Sequence, residues 1–291
     1  MYQHAFKPSG LWRSGMPQVG IDYSFTPVEN KRPECLTPDQ IRQYNELGYL
    51  RPFDIYSAAE VAEIRKYFDE LIAAKGPDGA FGINCFQARL SGIWDIATEP
   101  RILDLVQDIV GPDIVCWATA VLSKPASNPK FVPWHQDASF WSLSPARTVT
   151  VWLAIDDADE ENAAMQWIPR THDKGHFELE KSGTHAAFHI QTAGADQMGT
   201  PVSDNLAAGQ CSLHADMIIH GSPPNLSDRR RCGLTMRYCS PAVRIVDKPW
   251  SEGVEAIICR GEDRSGHWKH HTRPHNDDIT KCSSPHAYGN N

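Results

Sequence analysis

The chain has 291 residues, 41% of them hydrophobic and 22% charged. These are ordinary globular values, which exclude wholesale disorder. A formal net charge of −8 excludes a sequence-independent nucleic-acid binder, because that role needs a basic footprint. No apolar run approaches the roughly 18 residues of a membrane span, and MYQHAFKPSG lacks an apolar leader core, so a cytoplasmic protein is expected.

Residues 1–35 show no clear period. Thr37-Pro38-Asp39-Gln40 then reads as a capping box with Pro at the first helical position, and Gly48 as its stop. Ser57-Ala58-Ala59-Glu60 is a second capping box. Behind it Val61, Ile64, Phe68 and Ile72 recur at helical spacing up to Gly76. A third helix fits 99–110, where Ile102, Leu105, Val106 and Ile109 share a face. From about 113 the character changes. Ile114–Ser123, Thr148–Ile155, 211–219 and 232–239 are rich in β-branched and aromatic residues, with turn clusters between them. Short strands so spaced argue a sandwich or barrel rather than βαβ units. The expectation is one mainly β domain over 1–291, with a helical part at 36–112, a β core at 113–245 and an extended tail at 246–291.

Eight cysteines form no CxxC pair, so free thiols in a reducing compartment are expected. Cys116, Cys211, Cys232 and Cys239 lie in apolar runs, where the thiol packs as a small hydrophobe. No GxGxxG, GxxxxGK[ST] or GxSxG is present, which removes the carrying motifs of dinucleotide, P-loop and α/β-hydrolase readings.

Thirteen histidines pose the question of which converge. A two-His-one-carboxylate iron site needs three ligands on one side of the ion and open positions on the other. H-x-D at a strand end supplies two of them, because side chains at i and i+2 share a face. The pattern occurs at His135-Gln136-Asp137, His176-Phe177-Glu178 and His214-Ala215-Asp216. The first is flanked by Trp134, Phe140 and Trp141, an apolar surround suited to a shielded metal. Downstream, His220 ends an apolar run, and Arg231 follows eleven residues later. The second triplet sits in a polar stretch, and the third has no later His followed by Arg at similar spacing. His135, Asp137 and His220 are therefore the expected ligands, and His214 is expected near the site at most. The tail histidines, among them His267, His270, His271, His275 and His286, match no compact zinc finger.

The combination Trp134-His135-Gln136-Asp137, Asn162, Ile168-Pro169-Arg170-Thr171-His172, His220-Gly221-Ser222-Pro223-Pro224-Asn225 and Arg231 resembles the phytanoyl-CoA dioxygenase family over roughly 36–245. That resemblance implies a double-stranded β-helix (jelly-roll, cupin-like) core behind an N-terminal helical segment. It implies an iron(II)- and 2-oxoglutarate-dependent dioxygenase that hydroxylates a small molecule with dioxygen, giving succinate and CO2. His135, Asp137 and His220 would hold Fe(2+), Arg231 and Ser222 would anchor 2-oxoglutarate, and Trp152 would line its pocket. Related halogenases carry Ala where Asp137 stands, so its presence implies hydroxylation.

Arg suits the far carboxylate because its planar fork gives paired bonds and keeps its proton. Arg237 follows Arg231 by an even number of residues and is the rival anchor. Phe140, Trp141, Gln87 and Arg89 are candidate substrate contacts. The partner expected is a small molecule, with neither nucleic acid nor membrane. Two other classes stay open at this point: a cupin-like metal-containing binding protein without turnover, and a zinc hydrolase using the same triad.

Overall fold

The structure, a computed structural model, describes residues 20–247, 251 and 253–282. Residues 20–35 run without regular structure, as expected; 1–19 and His286 lie outside the described residues. The described residues include four α-helices, of which the first, second and fourth follow the sequence signals and the third was not expected. Helix α1 (Pro38–Leu47) starts at the Thr37 capping box and stops at Gly48, which adopts a left-handed conformation (φ 85°). Helix α2 (Ala58–Lys75) starts at the Ser57 capping box. Helix α3 (Ser91–Ala97) is short and has no side-chain cap, and α4 (Pro100–Val110) is capped by Glu99.

The strands are β1 (Tyr49–Asp54), β2 (Ile114–Lys124), β3 (Val132–His135), β4 (Leu143–Ser144), β5 (Val149–Ala154), β6 (Gln166–Ile168) and β7 (Leu179–Lys181). They continue with β8 (Ile190–Thr192), β9 (Val202–Ser203), β10 (Gln210–Ala215), β11 (Ile219–Ser222), β12 (Arg231–Cys239), β13 (Arg244–Ile245) and β14 (Ile257–Arg260). A six-stranded antiparallel sheet has the order β1-β10-β5-β12-β2-β14, and a four-stranded one the order β3-β11-β6-β9. This is the expected mainly β, jelly-roll architecture with flanking helices.

Alternation along the large sheet separates two chemistries. On one face Val151, Leu153, Leu213, Leu234, Met236 and Val121 pack with Phe68, Leu71, Ile102 and Val106 of the helices in one apolar core. The opposite face carries Lys124, Ala120, Arg231, Thr235, Arg237, Trp152, Thr150, Ser212 and His214, all buried. That face is turned toward the interior of the roll. Gly233 lies on it because a Cβ there would come within 2.3 Å of the Trp152 ring.

Two expectations are corrected. The apolar run 211–219 is not one strand: Asp216-Met217-Ile218 turns the chain from the large sheet to the small one. The C-terminal stretch is not an extended tail throughout. Strand β14 pairs with β2 through Ile257↔Cys116 and Ile258↔Val115, and Trp268 is buried with its indole N–H donated to the Val243 carbonyl at 3.0 Å. Ahead of it, residues 80–85 run along the rest of β2, with N–H···O bonds from Ser123 to Ala80, Val121 to Ile83 and Cys85 to Thr119. The eight cysteines are free thiols, and Cys116, Cys211, Cys232 and Cys239 are buried.

Candidate active site

The two histidines of the expected triad come from the small sheet. His135 ends β3, and His220 lies directly opposite it on β11. Neighbouring antiparallel positions bring side chains together, and the rings stand 4.1 Å apart between centroids. Each Nδ1 faces a main-chain carbonyl two residues back, Pro133 at 2.8 Å and Ile218 at 3.1 Å. A carbonyl only accepts, so Nδ1 carries the proton and each Nε2 offers its lone pair inward. Asp137 opens the 3₁₀ turn Asp137–Phe140 that follows β3. Between them Gln136 points away, bonded to the Gly175 and Met217 carbonyls and to the Phe177 N–H.

The Asp137 carboxylate has two differently served oxygens. Oδ1 lies 3.6 Å from His135 Nε2 and 3.9 Å from His220 Nε2. Oδ2 accepts the Thr150 hydroxyl at 3.1 Å and lies 3.8 Å from Arg237 Nε and 3.9 Å from His214 Nε2. Burial works against the Asp137 charge, but the neighbouring Arg237 foremost outweighs it and holds the carboxyl far below the usual range. Burial keeps the His220 imidazole neutral. The group therefore presents two imidazole lone pairs and one carboxylate oxygen, all within 4.8 Å of one another and buried. Donors about 2.1 Å from one ion at right angles stand roughly 3 Å apart, so this donor set fits a divalent transition metal after a small contraction.

The partners of Oδ2 form a row across the large sheet: His214 on β10 pairs with Thr150 on β5, and Thr150 with Arg237 on β12. Sequence reasoning expected His214 near the site at most, where it lies, and did not single out Thr150. Their signal is the sheet register, which no linear spacing displays. His214 is fully buried without a hydrogen-bond partner at either ring nitrogen, and burial pulls it down to about 4. Arg237, the rival anchor, is placed beside Asp137, with its guanidinium 5.3 Å from the Trp141 ring centroid.

Six residues earlier on β12, or roughly 20 Å of strand backbone, Arg231 serves a different place. Its guanidinium is 2% exposed, lies 5.4 Å from the Trp152 ring and donates to Ser222 Oγ at 3.4 Å. Among the described residues no carboxylate lies within 4.0 Å of it. Asp204 acts on it from further off, and burial pushes that carboxyl up to about 7. A buried cation without a counter-ion is costly, and burial draws Arg231 down to about 10. The indole N–H of Trp152 also has no partner. Arg231, Ser222 and Trp152 thus fit a carboxylate ligand.

The four candidate substrate contacts divide. Phe140 is half-buried, with its ring 5.5 Å from His135 and 5.2 Å from Phe188, itself 5.1 Å from His135. Phe188, in the β7–β8 connection, escaped the sequence reading. Trp141 is buried edge-to-face against Trp117 at 4.6 Å. Gln87 is fully buried: its amide donates to the Trp117 and Glu255 carbonyls and accepts from Thr119. Arg89 pairs bidentately with Glu255. Gln87 and Arg89 therefore fasten the C-terminal segment to residues 84–90, because each finds its polar partners inside the protein. Neither of the other two H-x-[DE] triplets converges on the triad as a pair: His176 contacts Ser139 and Tyr23, and while His214 lies beside Asp137, Asp216 turns away to accept the Thr148 N–H. A further one, His275-Asn276-Asp277, uses its carboxylate on Tyr67 and Gly92.

The profile of the family described as phytanoyl-CoA dioxygenase (PhyH) matches residues 44–233. A probable alpha-ketoglutarate-dependent hypophosphite dioxygenase from Stutzerimonas stutzeri is 25% identical over 69% of this chain and 78% of its own. The peroxisomal phytanoyl-CoA dioxygenase of Bos taurus is 26% identical over 79% of this chain and 77% of its own. Among solved structures, the non-heme monooxygenase ThoJ in its apo form superposes with a TM-score of 0.66 at 27% identity, covering 81% of this chain and 88% of that one. With the profile spanning more than half of its length, the chain belongs to the phytanoyl-CoA dioxygenase family and is an iron(II)- and 2-oxoglutarate-dependent dioxygenase.

Proposed function

We propose that this enzyme hydroxylates, or otherwise oxidises, an unactivated C–H bond of a small-molecule metabolite or natural-product intermediate, releasing succinate and CO2. The observation that carries the residue assignments is the pairing of an inward-facing N,N,O donor set with a buried arginine that has no acid partner among the described residues.

In this reading His135, Asp137 and His220 hold the iron, and Arg231 and Ser222 bind the far carboxylate of 2-oxoglutarate against Trp152. When bound, iron and 2-oxoglutarate supply the oxidising chemistry. The chain's own work is placement. The Thr150 hydroxyl holds Asp137 Oδ2, with the Arg237 charge beside it, which leaves Oδ1 turned toward the histidines. The Pro133 and Ile218 carbonyls fix the imidazole tautomers. Phe140 and Phe188 wall the His135 side and keep water from the reacting carbon. That wall favours a substrate presenting an apolar portion to the site. The relatives above are named for substrates as unlike as hypophosphite and phytanoyl-CoA, so substrate choice rests on this wall rather than on the shared framework.

The test is a substrate screen reading succinate. Release that requires both iron and 2-oxoglutarate, rises with one metabolite class and yields a product heavier by one oxygen supports the proposal. An Asp137→Ala enzyme that kept full hydroxylation would refute the ligand assignment.

A further inference from the structure

Lys124, the last residue of β2, is as deeply buried as any side chain in the roll, at 0% exposure. It lies directly across from Arg231 on β12. Its ammonium donates to Ser222 Oγ at 2.6 Å, to the Ser222 carbonyl at 3.2 Å and to the Pro223 carbonyl. Three acceptors match the three N–H bonds of an ammonium. Among the described residues no carboxylate lies within ion-pair distance of it. Two buried cations therefore share one hydroxyl, that of Ser222, and neither has an acid partner within 4.0 Å.

The sharing fixes the direction of the Ser222 hydroxyl. Its oxygen has two lone pairs, and both receive donors, one from Lys124 and one from Arg231. Its own proton must then point to a third atom. We infer that Lys124 is a positioning residue for cosubstrate recognition: it holds Ser222 as a donor, and with Arg231 it makes a two-cation seat selective for 2-oxo acids that carry a second, distal carboxylate. This rests on the assignment of Arg231 and Ser222 above. Burial first, then the neighbouring Arg231, work against the Lys124 charge in the ligand-free protein, and an arriving carboxylate favours it.

The experiment uses the full-length protein loaded with Mn(II), without oxygen, and measures binding by calorimetry. Two ligands are compared: 2-oxoglutarate, and 2-oxobutyrate, which lacks the distal carboxylate. Lys124→Met is expected to weaken 2-oxoglutarate about 10- to 100-fold, the worth of one charge-assisted hydrogen bond. Its 2-oxobutyrate affinity should stay within about twofold, and Lys124→Arg should recover much of the loss. Unchanged 2-oxoglutarate affinity in Lys124→Met, or an equal loss for both acids, overturns the inference. Arg231→Met is the separating control. If it loses 2-oxoglutarate while Lys124→Met does not, only the role of Lys124 falls; if neither loses it, the Arg231 assignment falls as well.

Discussion

Replacing Arg231 by Met keeps most of the side-chain volume and removes the charge. Arg231 is 2% exposed and pairs with no carboxylate within 4.0 Å among the described residues. A guanidinium gripping a carboxylate makes two charge-assisted bonds, each worth about 1.5–3 kcal/mol. Taking about 3 kcal/mol for the non-additive pair gives roughly a 100-fold rise in KM for 2-oxoglutarate. Stability of the ligand-free protein should move the other way. An unpaired buried cation opposes folding, and a volume-matched apolar side chain relieves it. Urea unfolding of the ligand-free protein should thus show Arg231→Met as stable as wild type or more so, while steady-state kinetics with varied 2-oxoglutarate show the loss. A variant destabilised by more than 2 kcal/mol with an unmoved KM would mean that Arg231 is structural. If Arg237→Met raised the KM instead, the anchor would sit beside Asp137, against the geometry described.

Asp137→Ala should abolish iron binding at stoichiometric metal, measured by metal content after gel filtration; retention of one iron per chain would move the carboxylate ligand elsewhere. Gly233→Ala drives a methyl into the Trp152 ring, so about 1–3 kcal/mol of stability should be lost together with weaker 2-oxoglutarate binding; a neutral result would show that Trp152 shifts freely. In the metal-free protein, the buried imidazole of His214 stays neutral down to about pH 4, whereas the unfolded chain protonates near 6.5. Below pH 6.5 the unfolded state binds the extra proton, so stability falls with pH and the decline levels off near 4. The shift is worth at most about 3 kcal/mol, and a His214→Gln protein should show a shallower acid slope by chemical denaturation.

The helices were legible because their starts are written locally: Thr37 and Ser57 each sit three residues ahead of Gln40 and Glu60 and form the boxes seen. Helix α3 escaped because seven residues without a side-chain cap leave no such mark. The triad was legible because His135 and Asp137 are close in sequence and His220 ends an apolar run. Thr150 and Lys124 were not, and His214 was placed only near the site, since each matters through the residue opposite it on the next strand. A lysine ahead of a proline-rich turn looks like an exposed charge until β12 places Arg231 beside it. Gln87 and Arg89 looked available for the opposite reason: their partner Glu255 stands more than 160 residues away.

Strand β14 has a practical consequence. It lies beyond residue 233, where the family match stops, yet it satisfies the outward-facing main-chain groups of Ile114–Cys116. A shortened chain ending after β12 would leave that rim of the largest sheet bare and apolar, an open template for a neighbouring molecule. Residues 84–90 would lose their Glu255 anchor at the same time. Expression pieces ending after β12 should therefore clump, whereas those extended through Ile279 should stay dispersed.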